Sequence, residues 1–243
     1  MTVLKPTAQP LYQQVKQHLV HRVLTGEWKP GQLLPSEFKL ADEYGLSQGT
    51  VRKAIEDMAS EGLVTRQAGK GTFVTTHDGD YHPFRFHRFY SDQGERIAKD
   101  EAVLVSSSPA KADTRIAKGL DIRKGTAGCK TVRIRQLHAE PALVETFFLI
   151  DSICPGARDF LEQENPKSVY LFMERHYNLL ITKVLEQLRA RSATEQEAEL
   201  LNLEPGTPVL EVERIAYSLG GEAVEWRTIV GATDHIHYRN ELG

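Results

Sequence analysis

The most informative stretch of the chain is Leu46–Leu63, with the sequence LSQGTVRKAIEDMASEGL. Ser47 is a favourable helix N-cap, and Gly62 is typical of the residue that follows a helix C-terminus. Between them, four apolar residues recur at i, i+3, i+4 and i+7, which predicts an amphipathic helix with one buried stripe. These residues are Val51, Ala54, Ile55 and Met58.

The segments on both sides of this helix predict a winged helix-turn-helix. Upstream, Ser36 stands in an N-cap position and Gly45 ends a short helix, so a tight turn separates two helices. Downstream, two short extended segments, Leu63–Arg66 and Gly71–Val74, are joined by a turn that contains Gly69, as in a β-hairpin. Each feature alone is common in small helical domains, but their order along one chain is much rarer.

The polar face of the second helix carries residue types that bind double-stranded DNA. In a helix-turn-helix, side chains near the N-terminus of the second helix enter the major groove. Arg52 can pair bidentately with guanine and Gln48 with adenine, and Thr50 can donate to a phosphate. Gly49 allows close approach to the DNA backbone, and Lys70 puts a positive charge on the hairpin, which would act as the wing.

The composition agrees with a two-domain regulator. The 243 residues are 40% hydrophobic and 26% charged, as in globular proteins. The formal net charge is −3, but residues 1–75 hold nine Lys and Arg against seven Asp and Glu, so a mildly basic head precedes an acidic body. The two cysteines match no zinc motif, and no apolar run has the length of a membrane span or the form of a signal peptide. We therefore expect a cytoplasmic protein without a disulfide framework or metal site.

Residues 96–243 predict a second domain of the α+β class with a mostly antiparallel sheet, and residues 76–95 predict a linker to the DNA-binding domain of residues 1–75. Several strand-like segments follow one another directly, which favours this class over a doubly wound fold. The predicted strands are Ala102–Ser106, Gly128–Leu137, Ala142–Leu149, Leu180–Ala190, Pro208–Tyr217, Ala223–Val230 and Ile236–Glu241. The predicted helices are Asp113–Gly119, Val169–Tyr177 and Glu195–Leu201.

A pair of arginines in the second domain is a candidate anion-binding site. Arg133 and Arg135 are two residues apart on a predicted strand, so they point to the same face of the sheet. If that face is concave, their guanidinium groups match the geometry of a carboxylate or phosphate. The alternative is a solvated strand face with two long charged side chains. Glu145 and Glu225 also lie on predicted strands, where each can accept from a ligand or form an ion pair with an arginine.

The N-terminal motifs resemble the DNA-binding domain of the GntR family of regulators. The resemblance covers roughly residues 9–75 and rests on QPLYQQV (9–15), GEWKPG (26–31), LPSE (34–37), LSQGTVRKA (46–54) and GKGTFV (69–74). It implies a winged helix that binds a palindromic operator as a homodimer. The DNA-binding residues expected from the residue types and the resemblance together are Ser36, Gln48, Gly49, Thr50, Arg52, Lys53, Gly69 and Lys70.

The chain departs from the GntR pattern at two positions. Gln48 stands where many members have an arginine, and Phe38 stands where many have an arginine or asparagine. We therefore expect an operator that differs from the usual GT…AC palindrome at the base that Gln48 faces. Exchange of an arginine–guanine pair changes discrimination by about 1–3 kcal/mol.

The C-terminal segments are similar to the UTRA effector-binding domain of the HutC subfamily, over about residues 85–243. The matching motifs are VRIR (132–135), PALVE (141–145), SVY (168–170), LEPGTPVL (203–210) and EWR (225–227). This similarity implies a chorismate-lyase-like antiparallel sheet, and an effector site in which Ser168 and Tyr170 help the two arginines to hold an anion. The effector-binding residues expected in total are Arg88, Arg133, Arg135, Glu145, Ser168, Tyr170 and Glu225.

These observations predict a ligand-responsive transcriptional regulator, most simply a repressor that a small anionic metabolite releases from its operator. An enzyme of the chorismate-lyase-like fold is the alternative, since that fold also supports catalysis. No motif of a serine hydrolase, zinc protease or complete P-loop occurs, so we predict no catalytic residue and no cofactor. The expected partners are double-stranded DNA, the effector and a second copy of the chain, and not a membrane.

Overall fold

A computed structural model gives the structure of residues 10–24, 27–60, 62–75, 86–97, 102–218 and 220–241, to which the description below is confined. It divides the chain into two units, Met1–His77 and Asp78–Gly243. The predicted boundary between residues 75 and 76 lies two residues from this division. No helix in the described ranges is long and apolar enough to cross a membrane.

The N-terminal unit is built on three helices, α1 (Leu11–Leu24), α2 (Glu37–Tyr44) and α3 (Gln48–Ser60). The Ser36 hydroxyl caps α2 by accepting from the Lys39 amide at 3.2 Å, and Gly45 ends it in the left-handed conformation, with φ of 65°. The apolar stripe of α3 is fully buried, as predicted, with an exposed fraction of 1% or less at each of its four residues. The helix-turn-helix is therefore held by the core that this stripe forms with α1 and α2.

A two-stranded hairpin follows α3. Strand β1 (Val64–Gln67) pairs in antiparallel fashion with β2 (Gly71–Val74), from Val64 opposite Val74 to Gln67 opposite Gly71. Gly69 has φ of 71°, a conformation that costs glycine little and other residues more. The predicted hairpin is confirmed, with its tip formed by Gly69 and Lys70.

The C-terminal unit has a six-stranded antiparallel sheet in the order β4-β5-β6-β9-β8-β7. The strands are β4 (Ala102–Lys111), β5 (Ala127–Leu137), β6 (Glu140–Ile150), β7 (Ile181–Ser192), β8 (Pro208–Ser218) and β9 (Ala223–Gly231). All five pairings between neighbours are antiparallel. The α+β class with an antiparallel sheet is confirmed, although β4 runs five residues further than predicted.

Helices cover both faces of this sheet. On one face, α5 (Ala157–Glu164) and α6 (Val169–Tyr177) pack against Phe147 and Leu149 of β6. On the other face, α4 (Thr114–Leu120) packs against Phe148 and Trp226, while α7 (Glu195–Leu201) packs against Val209 and Val230. We call the face under α5 and α6 the inner face. Sequence patterns predicted α4, α6 and α7 but not α5.

A short pair of strands closes one end of the inner face. Strand β3 (Phe89–Ser91) pairs with β10 (Ile236–Tyr238), and Phe89 packs with Leu143, Val212 and Ile229 of the sheet. The predicted linker, residues 76–95, overlaps β3, so its described part, residues 86–95, is folded onto the C-terminal unit. Residues 76–85 lie outside the described ranges.

Candidate functional site

Ser47 organises the first turn of α3, which carries most of the predicted DNA-reading residues. Its hydroxyl oxygen accepts from the Thr50 amide at 3.2 Å and lies 2.9 Å from the Thr50 hydroxyl. A methyl group built at Gly49 would meet only the Ser47 hydroxyl, at 3.9 Å, so nothing in this domain requires a glycine there. The first turn of α3 therefore presents short polar side chains and bare backbone on one surface.

Glu37, which was not predicted as a site residue, joins the recognition helix to the wing. Its carboxylate accepts from Arg52 Nε at 3.0 Å and from Arg66 Nη2 on β1 at 2.9 Å, and Gln48 Nε2 lies 3.5 Å from it. The Arg52 side chain is still 54% exposed. The ion pair thus orients the arginine while it leaves the outer edge of the guanidinium in solvent, where bidentate pairing with a base is feasible.

The remaining predicted DNA-binding residues lie around this surface. Ser36 caps α2, and Gly69 and Lys70 form the tip of the wing. The Lys53 ammonium lies 4.9 Å from the centre of the Tyr12 ring on α1, a cation–π distance. Lys53 is thus partnered with α1, whereas Arg52 is partnered with Glu37 of α2, which also binds Arg66 of the wing.

A buried charged cluster lies on the inner face of the C-terminal sheet, where Arg133 and Arg135 are each 1% exposed. The alternative of a solvated strand face is therefore wrong. Glu145, on the neighbouring strand β6, accepts from Arg133 Nη2 at 2.8 Å and from Arg135 Nε at 3.2 Å. The two arginines also donate, each at 2.7 Å, to the carbonyls of Pro166 and Lys167 just before α6.

The cluster continues across β9 and β8 through residues that were not among the predicted site residues. Arg227 donates to Glu145 at 3.2 Å and to Glu225 at 2.9 Å, so both predicted glutamates form ion pairs. Arg214 donates to Glu186 on β7 at 2.7 Å and to the Phe86 carbonyl. The strand order brings these groups together, since β9 and β8 follow β6 in the sheet.

Three further residues border this cluster: Ser168, Tyr170 and His87. The predicted site residue Arg88 is not among them. Ser168 caps α6, and the Tyr170 ring lies 5.4 Å from the Arg227 guanidinium. His87 is 8% exposed, and burial together with the charge of Arg135 lowers its pKa well below the ordinary value. Arg88 is half-buried, and its backbone carbonyl accepts from the Arg239 amide at 2.8 Å. Side chains alternate along this extended segment, so His87 is the residue that faces the cluster.

The cluster carries an excess of positive charge. It contains four guanidinium groups, of Arg133, Arg135, Arg214 and Arg227, and three carboxylates, of Glu145, Glu186 and Glu225. Burial, together with the charges of Arg135 and Arg227, lowers the pKa of Arg133 to about 10 in spite of the Glu145 carboxylate. Burial would raise the pKa of Glu145, but the charges of the surrounding arginines outweigh it and hold that pKa well below its ordinary value.

Three buried polar atoms of the cluster have no hydrogen-bond partner within the part of the chain that the structure describes. They are Arg133 Nε, Arg214 Nη1 and Glu225 Oε2. Buried polar groups are almost always hydrogen-bonded, because leaving one unpaired costs about 1–3 kcal/mol. Two donor atoms and one acceptor atom of this cluster therefore lack a partner among the described residues.

Other features of the described residues do not suggest catalytic or metal chemistry. No group of three His, Cys, Asp or Glu side chains in the described ranges is arranged to hold a metal ion. Both cysteines are buried thiols, and burial raises the pKa of Cys154 to about 12, which makes it a poor nucleophile.

The chain matches two family models. Residues 11–74 match the bacterial regulatory proteins of the gntR family, and residues 100–237 match the UTRA domain. It is 27% identical over 245 residues to the HTH-type transcriptional repressor NagR of Bacillus subtilis (strain 168), with 100% of both chains covered. It is 28% identical over 211 residues to the histidine utilization repressor of Pseudomonas aeruginosa, which covers 86% of this chain and 82% of that one.

Solved structures show the same architecture. The ligand-binding domain of a GntR-family transcriptional regulator from Bordetella bronchiseptica superposes with a TM-score of 0.61 at 29% identity and covers 65% of this chain and 98% of that one. The transcriptional regulator YydK of Bacillus subtilis superposes with a TM-score of 0.57 at 19% identity over 97% of this chain and 100% of that one, a likeness of fold alone.

Proposed function

Since the chain belongs to the UTRA-containing GntR family of bacterial regulatory proteins and is a ligand-responsive transcriptional repressor, we propose that its inducer is a small organic anion. The observation that carries the proposal is the buried cluster of the inner face. Its excess of one positive charge and its two guanidinium nitrogens without a partner among the described residues would suit the oxygens of a carboxylate or phosphate.

Glu225 adds a second requirement to the inducer. Its Oε2 atom is fully buried and accepts no hydrogen bond from the described residues, whereas Oε1 pairs with Arg227. A ligand that donates a hydrogen bond to this oxygen avoids the cost of a buried unpaired carboxylate oxygen. We therefore assign the inducer a hydroxyl or amine group in addition to its anionic group.

On the DNA side, we propose that two copies of the chain bind a palindromic operator. Two-fold symmetric dimers of helix-turn-helix proteins present their recognition helices to half-sites in successive turns of the major groove. The operator residues are those predicted above, with Arg52 as the reader of a guanine and Glu37 as the group that orients it. Inducer binding lowers operator affinity when the anion binds the DNA-bound conformation more weakly than it binds the conformation free of DNA.

Operator binding is tested with DNA selected from a random duplex library by the full-length protein. Arg52→Ala removes the guanidinium from the recognition surface, so the gel shift of the selected duplex should be lost. Arg189→Ala, at an exposed position of β7, is the matched control and should bind normally. Equal binding by Arg52→Ala would refute the assignment of the recognition helix.

Inducer chemistry is tested by thermal unfolding with pairs of probes that differ in charge. Glucosamine 6-phosphate with glucosamine, and urocanate with imidazole, are two such pairs. One anion should raise the melting temperature and weaken the gel shift, and its uncharged or cationic counterpart should do neither. The same anion should raise the melting temperature of Arg214→Met by less. Stabilisation by the counterpart to the same extent as by the anion would refute the proposal.

The alternative, an enzyme of the chorismate-lyase-like fold, receives no support from these comparisons, in which the relatives and solved structures are transcriptional regulators. Release of pyruvate from chorismate by the purified chain would reinstate it.

A further inference from the structure

Phe38 is an apolar side chain in the middle of the surface assigned to DNA. It lies in the first turn of α2 and is 74% exposed, the greatest fraction among the exposed large hydrophobic side chains of the described residues. A single exposed hydrophobic side chain is common on protein surfaces, so the position of Phe38 matters more than its exposure. The neighbouring residue is Glu37, which holds Arg52, so whatever Arg52 contacts passes close to Phe38.

Phe38 and Gln48 line the same surface depression. It runs along α2 and the turn that precedes α3, and its walls also include Ser36, Lys39 and Asp42. Gln48 is four residues before Arg52 on α3, so the two side chains lie on the same side of the helix, and both face Glu37. Phe38, Gln48 and Arg52 therefore form one continuous surface.

The chemistry of this surface differs from that of a surface with arginines at the same positions. The Gln48 amide is 3.5 Å from Glu37, a long hydrogen bond that is easily exchanged for a better partner. A glutamine side chain pairs bidentately with adenine N6 and N7, and an aromatic or aliphatic side chain packs on the C5 methyl group of thymine. Both of these groups lie in the major groove.

We infer that Phe38 and Gln48 together read an A·T element in each operator half-site. Gln48 pairs with an adenine, Phe38 packs on a thymine methyl group, and Arg52 binds a guanine beside them. This inference rests on the proposed DNA-binding function and adds the base preference of the operator. Deoxyuridine lacks only the methyl group of thymidine and keeps all of its hydrogen bonds. Its substitution for thymidine therefore tests the Phe38 contact alone.

The test uses the operator selected from the random library and replaces each thymidine by deoxyuridine in turn, symmetrically in both half-sites. For the unaltered full-length protein, replacement at one position of each half-site should lower the affinity for DNA about four-fold per contact, as expected for the loss of one buried methyl group. In Phe38→Ala the same replacement should have no effect. Leu11→Ala, which removes another exposed apolar side chain of this domain outside the depression, should retain the full effect.

A second arm tests Gln48 by replacing deoxyadenosine with 7-deaza-2′-deoxyadenosine, which lacks the N7 acceptor. In the unaltered protein this replacement should lower the affinity at one adenine of each half-site. In Gln48→Ala the same replacement should have no effect. Selection with a Phe38→Arg, Gln48→Arg double variant should enrich guanine at the positions where the unaltered protein enriches A·T pairs.

The outcomes separate this inference from the function on which it rests. If the protein enriches no sequence at all, the proposed DNA-binding function fails. If it enriches an operator but no deoxyuridine position is sensitive, or the sensitivity persists in Phe38→Ala, the Phe38 assignment is wrong while the function stands. If the A·T element is absent from the selected operator, the whole inference is wrong.

Discussion

Replacement of Glu145 by glutamine tests the buried cluster most directly. Glu145 is fully buried, and its carboxylate pairs with three guanidinium groups, of Arg133, Arg135 and Arg227. Glu145→Gln keeps the size of the side chain but removes its charge, so that the described cluster holds four guanidinium groups against two carboxylates. Breaking a buried ion pair by removal of one partner costs about 3–5 kcal/mol.

The expected change in melting temperature follows from the size of the unit. For domains of about 150–250 residues, each kcal/mol shifts the melting temperature by about 2–4 °C, so Glu145→Gln should melt about 6–20 °C below the unaltered protein. The transition of the C-terminal unit is measured by differential scanning calorimetry of the full-length chain. Glu140→Gln, at an exposed position of the same strand, is the matched control and should stay within about 0.5 kcal/mol.

The dependence on pH supplies a second test of the same residue. The pKa of Glu145 in the folded protein is depressed by the surrounding arginines, so its contribution is complete above the unfolded value of about 4.5 and is lost as the pH falls towards the folded value. The difference between Glu145→Gln and the unaltered protein should therefore shrink below about pH 4.5. A loss of less than about 1 kcal/mol at pH 7 would show that water or other groups solvate this carboxylate, and would refute the cluster as described.

Three further substitutions probe the DNA surface, the neutral histidine and the sheet. Gly49→Ala should stabilise the head by at most about 1 kcal/mol, since glycine disfavours helix, but should weaken the operator gel shift; unchanged operator binding would show that DNA does not approach Gly49. His87 is held neutral by burial and by Arg135, so stability to urea should fall below about pH 6.5 by up to about 1.4 kcal/mol per pH unit, and His87→Gln should lose this slope; an identical slope in exposed His138→Gln and in His87→Gln would contradict the assignment. In Gly128→Ala the new methyl group overlaps the Phe148 ring and the Leu149 carbonyl, so unfolding should be easier by about 1–3 kcal/mol or more, whereas Gly220→Ala should be neutral by the same chemical denaturation; equal stability would refute the close packing of β5 on β6.

Local patterns predicted the parts of the fold that depend on local physics. The apolar stripe of α3, the cap at Ser36 and the glycines of the wing each follow from backbone conformation and one buried face, and the structure has them where they were predicted. Helix α5 was missed because only Ala157 and Leu161 of its eight residues are buried. Two buried positions are too few to show a helical repeat, so the segment could not be distinguished from a loop. Strand β3 was missed because its partner β10 lies at the other end of the chain.

The candidate site shows where such patterns stop being informative. Along β5, Arg133 and Arg135 alternate with Val132 and Ile134, and hydrophobicity alone favours burial of the apolar pair. The structure buries the arginines and leaves the apolar pair partly exposed, because the inner face supplies Glu145 and the carbonyls before α6. Arg214 could not be assigned from the sequence, since its place beside Arg227 depends on the order of the strands.

The buried cluster also bears on how regulators of this kind diverge. Most of its charged groups have more than one partner, so a single substitution leaves an uncompensated charge in the core and endangers folding itself. On the proposed role of the cluster as the inducer site, a new inducer specificity is therefore most accessible through paired substitutions that keep the charge balance. Phe38 and Gln48, by contrast, are at the surface, where replacements cost little stability. Under these proposed roles, the DNA sequence that such a repressor recognises can drift faster over evolutionary time than the class of metabolite to which it responds.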